Sequence, residues 1–219
     1  MIYVLVLSFI MNLVYYFKNF KGSFKLLCFF VLKTFILILI FNFMFEFMKE
    51  IFLIKNFDFG VVILIYFVSL ILYFVFPNKY ACISYGFFIS YFALIGIKQN
   101  FFREGLFMIS VFHLFEGIYV ILNSFSKWEN NFCKIYLPFM INKVPLIFII
   151  ACRRSYFGLK NFSGIVSGFV ILIYSFISMA FGFLGGNVLI EIFLILTLIL
   201  LHENLYLIDK FLNCKFKIK

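Results

Sequence analysis

Charge is scarce in this chain, and so are the residues that break helices or build active sites. Of its 219 residues 13% are charged, three are proline, two are histidine and one is tryptophan. A water-soluble domain is usually about 25% charged and about 45–50% apolar. This chain is 66% hydrophobic, with a mean hydropathy of +1.14. So few polar side chains cannot cover the surface of a water-soluble body, and soluble folds are excluded.

Other absences narrow the function. The five cysteines (Cys28, Cys82, Cys133, Cys152 and Cys214) form no C-x-x-C pair and are odd in number. A disulfide framework or structural zinc site is therefore not expected, and the cysteines read as small hydrophobes. Asp58 and Asp209 are the only aspartates, too few for the aspartate cluster of an alcohol phosphotransferase. There is no P-loop, dinucleotide fingerprint, G-x-S-x-G elbow or H-E-x-x-H. No cofactor is expected. Bis-histidine haem would need both His113 and His202, and His202 falls near a predicted membrane edge. No metal site is expected either, because a di-metal bundle needs two E-x-x-H units and two further carboxylates.

What the chain does have is long apolar runs. A helix crosses the hydrocarbon with about 20 apolar residues, in a range near 17–25. Eight runs approach or meet that length: Met1–Phe17, Leu26–Met48, Val61–Pro77, Tyr80–Ile97, Leu106–Asn123, Ile135–Cys152, Ile165–Gly186 and Val188–Leu201, the last short, with extension through His202 and Glu203 towards Ile208 as its alternative. They predict an all-α fold, a polytopic integral membrane helical bundle of about eight transmembrane helices. Six or seven follow if the last two, parted by Gly185-Gly186-Asn187, are one kinked helix or a re-entrant hairpin. Met1–Phe17 has no basic leading region and runs into Lys18 rather than a cleavage site, so it reads as a retained helix. The short linkers leave no room for a second domain, and residues 1–219 read as one bundle. The 38 phenylalanines, with abundant Ile, Lys, Asn and Tyr, suit an AT-rich genome.

The net charge of +10 would suggest nucleic acid in a soluble protein. Here the Lys and Arg residues occupy the gaps between apolar runs, where topology and anionic headgroups account for them, and no nucleic-acid partner is expected. The loops after the second, fourth, sixth and eighth runs are the richer in Lys and Arg. Both termini are therefore expected on the positive side, cytoplasmic or organelle-matrix.

The polar residues inside the runs are the candidates for function. Asn142 and Lys143 lie near the middle of Ile135–Cys152, framed by Pro138 and Pro145, and suggest a proline-broken sixth helix with a polar site. His113 and Glu116, three apart on the fifth run, share a helix face. With Lys33 in the second run they make a candidate intramembrane cluster: Lys33, His113, Glu116, Asn142 and Lys143. Arg153, Arg154 and Lys160 are candidate contacts for anionic headgroups. Gly164 and Gly168 belong to a small-residue stripe suited to close helix packing. These features, with the lipid bilayer and other membrane subunits or further copies of the chain as partners, suit a structural or accessory subunit of a larger membrane complex. A transporter, channel or lipid scramblase built on the broken sixth helix is the alternative. An intramembrane lipid-modifying enzyme ranks third.

Overall fold

The structure, a computed structural model, describes residues 2–19, 24–54, 58–75, 82–94, 101–123, 132–141, 144–153 and 161–215. Seven helices are present among the described residues: α1 (Ile2–Asn19), α2 (Phe24–Ile51), α3 (Phe59–Val75), α4 (Ile83–Ala93), α5 (Phe101–Asn123), α6 (Asn161–Leu184) and α7 (Val188–Lys215). Four contain stretches long and apolar enough to cross a membrane: Val31–Ile51, Phe101–Leu122, Ile165–Leu184 and Val188–Leu205. These mark the chain as a helical membrane protein.

The expected sixth helix is not there. Between α5 and α6 the chain forms an antiparallel hairpin of β1 (Phe132–Ile141) and β2 (Val144–Arg153), with Ile141 opposite Val144. Asn142 and Lys143 fall between the strands, outside the described residues. The prolines explain the outcome. In a helix interior each would remove a hydrogen bond and clash with the preceding turn, at about 3 kcal/mol or more. In the hairpin Pro138 is paired with Ile147 and Pro145 with Met140. Tyr136, two residues before Pro138, turns both its N–H and its C=O outward to Asn12. By the two-residue alternation of an antiparallel ladder, Pro138 and Pro145 occupy the same outward-facing positions, where a missing N–H breaks no ladder bond. The four Ile and Val residues of β2 and the Ile, Tyr and Phe residues of β1 suit a pleated surface.

A hairpin within an apolar body has outward edge groups that lipid cannot satisfy. Helix side chains meet them. On α1, Ser8 Oγ and Asn12 Nδ2 donate to the Tyr136 carbonyl at 2.6 and 2.9 Å, and Asn12 Oδ1 accepts from the Tyr136 N–H at 3.0 Å. Asn12 thus replaces a residue of a third strand. On α2, Asn42 Nδ2 reaches the Pro138 carbonyl at 3.2 Å, and on α3 the Tyr66 hydroxyl reaches the Ile147 carbonyl at 2.9 Å.

The core is built around α5, 72% of whose apolar span is buried. Aromatic rings join it to α2: Phe41 against Phe115 and Phe45 against Phe107, each at 5.2 Å and close to perpendicular. That edge-to-face geometry suits their quadrupoles. On the other side α5 meets α6 at Gly117 and Gly168, where a Cβ on either would lie 2.9 Å from the other's carbonyl oxygen. Gly168 of the predicted small-residue stripe therefore admits a neighbouring backbone, and Gly164 lies one turn before it on α6. Ser175 Oγ on α6 adds a bond to the Ser110 carbonyl of α5 at 2.7 Å.

Two further boundaries differ from expectation. The fourth helix is only 11 residues, Ile83–Ala93, with Leu94 as its C-cap. At 1.5 Å per residue it is about 16 Å long, roughly half a bilayer core. The last helix is longer than the run Val188–Leu201 suggests, reaching Lys215. The break before it is real. Gly186 has φ +149°, a value glycine tolerates. Asn187 Oδ1 then accepts the Leu189 N–H at 2.9 Å, while Glu191 reaches back to the Gly186 N–H at 3.2 Å. These contacts cap α7 and separate it from α6.

Candidate metal centre

Three donors from distant parts of the chain meet where α4, α5 and α7 come together. Cys82 is the N-cap of α4, with φ −113° and ψ 139°, and its side chain makes no capping bond to its own helix. Its Sγ lies 3.1 Å from Nε2 of His113 and 3.2 Å from Nε2 of His202. One ligand atom from each of the three lies within 4.8 Å of the others. Because α4 is a half-length helix, its N-terminus reaches the middle of α5, where His113 is the thirteenth of 23 residues. That terminus carries the positive end of the helix dipole and favours an anionic sulfur.

His113 is 2% exposed. Its Nδ1 lies 2.9 Å from the carbonyl of Ile109, one turn earlier. A carbonyl only accepts, so Nδ1 carries the proton and Nε2 presents its lone pair to Cys82. Metal-ligating histidines are commonly oriented by such a bond. His202 differs. Its Nδ1 is buried and has no hydrogen-bond partner among the described residues. A buried polar atom left so costs about 1–3 kcal/mol.

Aromatic rings enclose the group. Tyr174 on α6 packs edge-on against both imidazoles, at 4.9 Å from His113 and 5.4 Å from His202. Its hydroxyl lies 3.3 Å from Ser84 Oγ. Tyr85 packs against His202 at 4.9 Å and donates its hydroxyl to Glu203. A second tyrosine–glutamate pair, Tyr91 to Glu191 at 2.6 Å, fastens the other end of α4 to α7.

The predicted cluster is only partly in this place. His113 is at its centre. Glu116, half-buried on α5 one turn further, does not join the converging donors. Lys33 is half-buried on α2. Asn142 and Lys143 lie outside the described residues, as do Arg154 and Lys160, and Arg153 is the last residue of β2. His202 is not at a helix end, as the run ending at Leu201 implied, but midway along α7. Cys82 and His202 are the residues that sequence reasoning passed over as ligands. No local spacing links them, since 31 residues separate Cys82 from His113 and 120 separate it from His202. The available signal was that both histidines of the chain fall in or beside apolar runs. Comparison with protein-family models, curated proteins and solved structures returns no match for this chain.

Proposed function

We propose that this chain is a small membrane-embedded subunit whose bundle holds a transition-metal ion between α4, α5 and α7. The observation that carries the proposal is the convergence of Cys82, His113 and His202 inside an aromatic enclosure. Thiolate and imidazole are the donors that first-row transition ions prefer, and the bundle supplies them from facing helices. The ion ties the half-length α4 and the peripheral α7 to the central α5. Only 17% of the apolar span of α7 is buried, which leaves a broad outer face for lipid or a neighbouring subunit. If the four span-length helices among the described residues are the membrane crossings, their even number puts both termini on one side, on this proposal the Lys- and Arg-rich one. The transport alternative rests on a broken sixth helix, and the chain forms the β1–β2 hairpin there instead.

The test is metal analysis of natively purified protein alongside identification of co-purifying chains. One transition-metal ion per chain is expected, lost in Cys82→Ser and in His113→Gln. Wild-type protein that is folded and takes up no transition metal, even after reconstitution, would refute the metal reading. Isolation as a lone stable monomer would refute the subunit reading.

A further inference from the structure

Resting on the subunit reading and not on the metal, we infer that the partner is a second copy of this chain. The two pair through the outer face of α7, with Asn204 meeting Asn204 at a two-fold axis. Leu189, Phe193, Leu196, Leu200, Asn204 and Leu207 are all exposed on α7. At about 100° per residue they fall within about 80° of its circumference. Leu194, Ile195 and Leu198 turn to the core instead. Five of the six exposed side chains are hydrocarbon, and the sixth is a carboxamide.

Depth makes that amide costly. The start of α7 lies beside the start of α5, where a Cβ on Gly185 would come within 2.5 Å of the Phe102 ring. Further along, the His202 ring is 5.7 Å from that of His113, just past the midpoint of α5. Asn204 is two residues beyond, about 3 Å along the axis. It therefore stands near mid-bilayer on the outside of the bundle. Its Nδ2 donates one N–H to the Leu200 carbonyl at 2.9 Å. A carboxamide has a second N–H and an oxygen with two lone pairs. Neither is bonded among the described residues, and hydrocarbon can satisfy neither. The outer face of α6 shows the contrast. Phe169, Ile173 and Phe176 look outward there, and no exposed side chain among its described residues forms hydrogen bonds.

A second copy meets this need by symmetry. Two chains inserted the same way are parallel, so a two-fold axis along the membrane normal sets Asn204 opposite Asn204 at equal depth. Each amide then donates its remaining N–H to the other's oxygen. A different partner would have to offer both a donor and an acceptor at that one depth. Along the rest of the stripe like meets like, with no charge to repel. The spacings of three and four residues suit a helix seam crossing at a shallow angle. One Asn in an otherwise apolar seam fixes the register and the number of copies.

The experiment uses the full chain in lipid vesicles. Copies carrying a donor or an acceptor dye at the C-terminus are mixed, and energy transfer is followed as the protein-to-lipid ratio falls. The expected result is a two-copy assembly whose dissociation constant rises about 10-fold in Asn204→Leu, which removes two interhelical hydrogen bonds. Leu200→Ala, one turn away on the same stripe, should also weaken it. Ile173→Ala, on the outer face of α6, should leave it unchanged. Wild-type chains that stay monomeric in lipid, while other proteins co-purify natively, would overturn the pairing and leave the subunit reading standing. Monomers with no co-purifying chain would overturn both. A pair unmoved by Asn204→Leu would overturn the assignment to this face, and an assembly of more than two copies would overturn the two-fold arrangement.

Discussion

The hairpin region and the Cys–His region are both polar islands in an apolar molecule, but their polar groups face different things. Around the hairpin, Ser8, Asn12, Asn42 and Tyr66 point at backbone groups that would otherwise be stranded in hydrocarbon. Their job is finished by folding. Around Cys82, the polar side-chain atoms point chiefly at one another. In a bilayer, where unmet hydrogen-bonding groups cost several kcal/mol, this contrast separates side chains that support the fold from side chains that await a ligand.

The contrast can be broken at several points. The largest effect should be on metal retention: Cys82→Ser and His113→Gln lose the ion, while Asn12→Leu, if folded, keeps it at one per chain. Elemental analysis of the purified variants checks this. Next comes stability. Asn12→Leu strands the N–H of Tyr136, whose C=O keeps the Ser8 hydroxyl, and at about 1–3 kcal/mol for one unmet group it should lower unfolding free energy by about 2 kcal/mol. Denaturant titration in detergent measures it, and a loss below about 1 kcal/mol would show that the hairpin edge is satisfied in some other way. Metal should widen the gap between regions. Without metal Cys82→Ser should sit within about 1 kcal/mol of wild type, but with free ion at 100 times Kd wild type gains about 2.7 kcal/mol. The smallest effect is Tyr66→Phe, which gives up one hydrogen bond, about 1 kcal/mol, and should leave metal binding untouched.

Acid should work against the centre alone. Metal binding needs the thiolate and neutral imidazoles, so protons compete and affinity should fall as pH falls. The bonds of Asn12 and Asn42 contain no titratable group and should be indifferent over the same range.

Much of the architecture was legible in the sequence. Seven of the eight apolar runs contain helices, but only four of these, among the described residues, are long and apolar enough to span a bilayer. The hairpin was not legible, because an unbroken apolar run of that length reads the same as helix or as paired strands. Its distinguishing marks were Pro138 and Pro145, which read as breaking a helix. The site was half legible. His113 stood out as a polar group in an apolar run, but its partner was sought at Glu116 on the same helix face. The actual partners come from two other helices, and only the tertiary fold brings them together. Ending the last run at Leu201 placed His202 at an interface, whereas the cap at Asn187 and the continuation to Lys215 put it in the middle of α7.

The order of the three ligands along the chain has a consequence for how the molecule is made. Cys82 and His113 leave the ribosome well before His202, which trails Cys82 by 120 residues. His202 trails His113 by 89 residues, so at roughly 5–20 residues per second the interval with two ligands made is about 4–18 s. For that time the nascent bundle has a thiol and one imidazole in place and an open side where α7 will close. On the metal-centre proposal, an ion delivered then would meet two of its three ligands before the final helix supplies the third.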